Sequence, residues 1–197
     1  MSGFSQTHDL GLLQALRLKG RSDAARIADA TGGEEAATAG LLASLVDAGL
    51  AEDKGGTFVL SESGEALRSK AIDAERSKLD PAAMEGLYAD FKGVDADFKA
   101  LVADVQLGKL EREAAAGQLT PIHERLRPLL EGAGELLPRL VRYAQRFEEA
   151  LRALQGGDPR YLASPLVESY HGVWFEFHEE LIQASGRTRK QEAIGEG

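Results

Sequence analysis

The stretch Leu45–Leu67, "LVDAGLAEDKGGTFVLSESGEAL", decides how the first part of the chain is read. Leu45 and Val46 close an apolar helical pattern, and Gly49 suits the left-handed turn that ends a helix. "LAED" and "TFVLS" flank Lys54–Gly56, which predicts a β-hairpin with that tripeptide as its turn. Ser61 then caps a further helix, "ESGEALRSKAIDAERSKL". Working upstream, "EEAATAGLLASLVDAGL" (Glu34–Leu50) is a helix with Leu41, Leu42, Leu45 and Val46 on its buried side. Before it, Ser22 is the expected N-cap of a short helix ended by glycines. His8–Lys19 is expected to be a helix with Leu10, Leu13, Leu16 and Leu18 on one stripe, broken at Gly20 and Arg21.

Three helices, a hairpin and a further helix follow one another over residues 8–70. The pattern Leu45, Gly49, Leu50, then Ser61 and Gly64, resembles the second half of a MarR-type winged helix-turn-helix. The resemblance implies a DNA-reading third helix, although folds host many functions. Bases are read by Arg, Lys, Asn or Gln. The outward positions of this helix fall near Ala36, Ala39, Gly40, Ala43 and Ser44, and only Thr38 and Ser44 offer a hydrogen bond. The remaining DNA-binding candidates are Arg17, Lys19, Arg21 and Arg26, which would contact backbone phosphates, and Lys54 in the wing. Glu34 and Glu35 at the helix start would repel phosphate.

Charge points the same way. The 197 residues carry a net charge of −9, whereas nucleic-acid binders usually show a basic face. Residues 1–70 hold seven Lys/Arg against ten Asp/Glu, so the acid is not confined to the second half. No cysteine is present, which excludes disulfide and thiolate chemistry. No apolar run reaches the roughly 20 residues of a membrane span. "MSGFSQTHDL" lacks the pattern of a secretion signal, so a cytoplasmic location is expected.

Asp80-Pro81 reads as an N-cap followed by proline at the first helical position, which sets domains of 1–79 and 80–197. The fold class is therefore mainly α: an N-terminal winged helix followed by an all-helical bundle. Leu87, Phe91, Val94, Phe98, Leu101 and Val105 give one helix, and Gly108–Gln118 reads as a continued helix or a connection. Ile122, Leu126, Leu129, Ala133, Leu136, Leu140, Tyr143, Phe147, Ala150 and Leu154 form a heptad seam, serving as bundle core or dimer interface, with a break expected near Gly132–Gly134. Pro138 is expected in the first turn of the helix after that break. The last long helix is expected from Ser164-Pro165, with Leu166, Tyr170, Val173, Trp174, Phe177, Leu181 and Ile182 inward, ending at Gly186 before a frayed "RTRKQEAIGEG".

"LYADFKGVDADFKALVADVQ" (Leu87–Gln106) and "PLVESYHGVWFEFHEELIQASGRTRKQEA" (Pro165–Ala193) resemble the helical region that follows the swivelling phosphohistidine domain in short bacterial proteins related to pyruvate phosphate dikinase. That resemblance implies an accessory piece, since neither a glycine-rich nucleotide loop nor a swivel-type histidine motif is present. Tyr170, His171, Trp174, Phe177 and His178 are the ligand-pocket candidates, with His123 able to approach. No metal-ligand spacing, cofactor motif or nucleophile motif is found, so no enzyme is expected. Two readings follow. One is a transcriptional regulator with a helical dimerisation or effector domain, whose partners are DNA and a second copy. The other is a non-catalytic, protein-binding accessory module of a phosphoenolpyruvate-dependent phosphotransferase.

Overall fold

The computed structural model describes residues 6–188, and the protein is mainly helical with one small two-stranded sheet. Contacts divide the chain into two compact units at Lys78–Leu79. Among the described residues no helix is long and apolar enough to cross a membrane.

The first unit comprises α1 (Gln6–Lys19), α2 (Ala24–Thr31), α3 (Glu35–Asp47), β1 (Ala51–Asp53), β2 (Phe58–Leu60) and α4 (Glu62–Arg76). Its α1 packs against α2, α4 and β2. Residues 12–16 are consequently all buried, more than a single stripe allows. Leu12, Leu13, Leu16, Ile27, Leu42, Leu45 and Ala51 make the core. The polar member of that buried run, Gln14, accepts a hydrogen bond of 2.8 Å from Arg68 of α4, whose guanidinium also grips Glu65. The strands pair antiparallel, Ala51 opposite Leu60 and Asp53 opposite Phe58.

Ser22 does not cap α2. Asp23 does, accepting from the Arg26 N–H. The backbone of Ser22 instead exchanges hydrogen bonds of 3.1 and 2.7 Å with Phe58, which adds a one-residue bridge to the hairpin. Leu41 is also misplaced by the sequence pattern: it is 44% exposed, while Leu42 and Leu45 are buried. A helix resting on only one side buries one of two adjacent leucines.

The turn after α3 is closed by the residues that carry the family resemblance. Gly49 takes a left-handed φ of 71°. Ser61 Oγ donates to the Gly49 carbonyl at 2.7 Å and accepts from the Gly64 N–H at 3.0 Å. Gly64 lies so close to Leu50 that an added Cβ would fall 2.0 Å from its carbonyl oxygen.

The second unit comprises α5 (Pro81–Gln106), α6 (Ala115–Leu136), α7 (Arg142–Gln155), the short α8 (Arg160–Ala163) and α9 (Tyr170–Ala184). Asp80 caps α5 with Pro81 in its first turn. Packing runs α5 on α6, α6 on α7 and α7 on α9, with α9 returning to α5 and α8 wedged against α7 and α9. The heptad seam from Ile122 to Leu154 is core of this unit: Leu126, Ala133, Leu140, Phe147 and Ala150 are all buried, with Leu129 and Leu136 packed at the edge.

Of the boundaries in this unit, the stretch after α5 is a connection, one of the two readings of its sequence, and two others differ from the pattern. Gly108–Gln118 holds a turn and a 3₁₀ turn (Arg112–Ala114), and α6 then begins at Ala115. No break occurs at Gly132–Gly134; α6 runs on to Leu136 with Pro121 and Pro128 inside it, and the chain turns at Leu137, before Pro138 starts a 3₁₀ turn. Gly134 matters there for a different reason: an added Cβ would lie 2.9 Å from Val141 Cγ2. Ser164-Pro165 does not start the last helix. Ser169 caps α9, and Leu166, expected inward, is 82% exposed in the irregular stretch before it. After Ala184 the helix ends, and the tail from Arg189 lies outside the described residues.

The Gly64 approach yields a direct test. Gly64→Ala is expected to destabilise the first unit by about 1–3 kcal/mol, because the obstacle is backbone and cannot move aside like a flexible side chain. Hydrogen exchange across α3, β1 and the start of α4 should accelerate in the variant.

Candidate functional site

In the first unit the chemistry turns on the outer side of α3. Glu34 caps the helix, its carboxylate accepting from the Ala36 and Ala37 N–H groups at 3.3 and 3.0 Å. The donors that would otherwise face a phosphate are therefore occupied by the chain's own acid. Thr38, a candidate base contact, is 2% exposed, so it cannot reach DNA. It lies inward because the turn at Gly33 closes over it; a Cβ added there would sit 2.6 Å from Thr38 Oγ1. Ser44 is exposed, and its hydroxyl donates to the Gly40 carbonyl at 3.0 Å. The exposed surface is left to Ala36, Ala37, Gly40, Leu41, Ala43 and Ser44, with the acids Glu35 and Asp47 at its two ends, while Ala39 is half-buried.

Several of the candidate cations have acids or carbonyls at hand. Arg17 lies 3.7 Å from Glu65. Arg21 braces the hairpin, with Nε donating to Thr57 Oγ1 and Nη2 to the Lys54 carbonyl, both at 2.7 Å. Lys54 pairs with Glu52 on β1. Lys19 is half-buried, and Arg26 is exposed on α2. The structure brings Arg21 and Lys54 together at the wing, but as a brace for the hairpin turn.

In the second unit the pocket candidates divide. Tyr170, Trp174 and Phe177 are buried in a ring cluster with Phe91, Phe98 and Phe147; the Phe98 and Trp174 rings stack with centroids 4.2 Å apart. His178 is buried beside Phe91. His171 is exposed, its ring 6.0 Å from Phe98. This arrangement fills the interior with aromatic rings.

Sequence reasoning passed over Asp95, a carboxylate 1% exposed on α5. Its Oδ1 accepts from Trp174 Nε1 at 2.9 Å, and Lys99 reaches Oδ2 at 2.9 Å. His178 Nδ1 stands 3.8 Å from the same group. It also passed over a buried charge array between α7 and α9. Arg139 pairs with Glu180, and Arg146 with Glu176 and Glu168. Tyr143 sits among them, and burial first, then the nearby Glu180 carboxylate, hold its hydroxyl far above the usual phenol range. A signal was present. Glu176 and Glu180 are one turn apart on a helix dominated by inward residues, and Arg139, Tyr143 and Arg146 repeat at four and three like the heptad seam.

His123 of α6 is buried. Its Nδ1 shares a 3.1 Å hydrogen bond with Tyr170 Oη, and its Nε2 lies 3.2 Å from Glu148 on α7 but off the hydrogen-bonding axis. Burial lowers its pKa below the ordinary 6.5, against the pull of Glu148 and Glu124. His123 and His178 thus belong to different polar clusters. No group of three metal-ligating side chains occurs among the described residues.

No protein-family model matches the chain, and no curated protein or solved structure matches it significantly.

The depressed His123 pKa has a signed consequence. Below the unfolded-state value of 6.5, the unfolded chain takes up a proton that folded His123 refuses. Stability of the second unit should therefore fall as pH drops from 6.5 toward the folded pKa, and be fully present above 6.5. His123→Gln keeps a hydrogen-bonding group and is expected to flatten that slope. Urea denaturation followed by fluorescence of Trp174, the one tryptophan, measures it.

Proposed function

We propose that the chain is a non-catalytic, protein-binding module whose first unit is a winged helix that turns its third helix toward a partner protein instead of base edges. The observation that carries this reading is the outer side of α3, where Ala36, Ala37, Gly40, Leu41, Ala43 and Ser44 are exposed between the acids Glu35 and Asp47, with no cation or amide among them. Base readout needs bidentate donors or acceptors at such positions. A smooth helix with one exposed leucine suits contact with an apolar surface.

The order of helices and strands, with the Ser22–Phe58 bridge as a third short strand, supports the winged-helix assignment. The acidic cap at Glu34 and the brace made by Arg21 support loss of phosphate contacts. The resemblance of the second half points to a phosphoenolpyruvate-dependent phosphotransferase with a swivelling domain as partner. The heptad seam lies inside the second unit, so it gives no support to a homodimer. A transcriptional regulator is the rival reading, favoured by the same winged-helix order and by the exposed Arg26.

Fluorescence anisotropy with random duplex DNA separates the two. An accessory module should show almost no binding between about 50 and 200 mM salt, whereas a regulator making several phosphate contacts should show a steep salt slope. Co-elution with a swivel-domain phosphotransferase of the same genome should be lost in Leu41→Asp, which leaves the fold intact and should weaken binding by roughly tenfold or more.

A further inference from the structure

The guanidinium of Arg146 is buried, 4.9 Å over the ring of Tyr143. Two carboxylates meet it. Glu176 belongs to α9 and accepts from Nη2 at 2.6 Å. Glu168 comes from the irregular stretch between α8 and α9, and its Oε2 accepts from Nε at 3.1 Å and from Nη2 at 2.7 Å. The two acids differ in their surroundings. The Glu176 side chain is 9% exposed in the middle of a helix, and that of Glu168 is 31% exposed. The stretch carrying Glu168 also buries little of itself. Pro165 and Leu166 are exposed and Val167 is half-buried, although Leu162 and Ser169 at its two ends are buried. Independent hydrogen bonds, Ser169 Oγ with the Gly172 N–H, fix the start of α9.

We infer that Arg146 is a carboxylate-binding site that Glu168 occupies in cis, and that a small organic carboxylate takes its place when the stretch 164–168 swings outward. A guanidinium presents a planar fork that matches carboxylate oxygens. With Glu168 withdrawn, Glu176 still engages Nη2, while Nε loses its acceptor in a nearly dry setting. That is an unfavourable state, which an incoming carboxylate relieves. A phosphate fits less well, because it brings extra negative charge beside Glu176. The site lies in the second unit and is independent of how α3 is used.

The test uses the full chain and acetate as the probe. Thermal unfolding is followed by Trp174 fluorescence in sodium acetate and in sodium chloride at equal ionic strength. In Glu168→Ala the site is open, and acetate is expected to raise the midpoint by about 2–4 °C beyond its effect on the wild type, as one site filled several-fold above its Kd would. An equal rise in both proteins overturns the proposal. Inorganic phosphate at matched ionic strength is the anion control, and a variant-specific rise as large as that from acetate overturns the carboxylate assignment. Glu168→Gln keeps the shape without the charge. Hydrogen exchange across residues 164–168 should rise roughly tenfold in it, with α6 and α7 still slow. Unchanged exchange there, or a rise spread evenly over the unit, also overturns the proposal.

Discussion

A charge taken into a helical interior has to bring its counter-charge along, and that constraint shapes both units. Arg68 enters the first unit with Glu65 and Gln14. Arg139 and Arg146 enter the second with Glu180, Glu176 and Glu168. Asp95 does so with Lys99 and Trp174 Nε1. Where both members are buried, as in Arg139 with Glu180, removing one costs about 3–5 kcal/mol. Some of these charges also bond across to a neighbouring helix. Arg68 locks α4 to α1, and Asp95 locks α5 to α9.

In the first unit the same pairing reaches the surface around α3 and the hairpin. Glu34 satisfies the start of α3, and Glu52 and the hairpin carbonyl take up Lys54 and Arg21. What is left on the outer side of α3 is shape: small residues that allow close approach, and Leu41 standing above them. The second unit presents the opposite situation. Its aromatic residues pack on each other, and buried polar pairs, His123 with Tyr170 and Arg146 with Glu168, lie beside them.

The helices, the hairpin and the turn at Gly49 were legible in the sequence because each rests on local rules: periodicity, N-caps and glycine's tolerance of positive φ. The inward residues of α9 from Tyr170 to Ile182 were legible for the same reason. The misreadings have a common source. Leu41, Thr38 and Leu166 were assigned sides by pattern, and the sides depended on what lay opposite. Thr38 is buried by the neighbouring turn at Gly33, and Leu166 is exposed because α9 starts only at Tyr170, after its cap Ser169. Asp23 displaced Ser22 as a cap because Ser22 was claimed by Phe58, far away in sequence.

By itself, then, the chain's order of residues determined a mainly helical protein with a short hairpin and no cysteine chemistry. Tertiary structure alone decided that Gly64 must be small against the Leu50 carbonyl, that the heptad seam is interior, and that Arg146 is shared by two acids of unequal freedom. The physical reason is range. Backbone preferences act over a few residues, whereas burial, hydrogen bonding and charge pairing are settled by groups that folding brings together from as far as 102 positions apart.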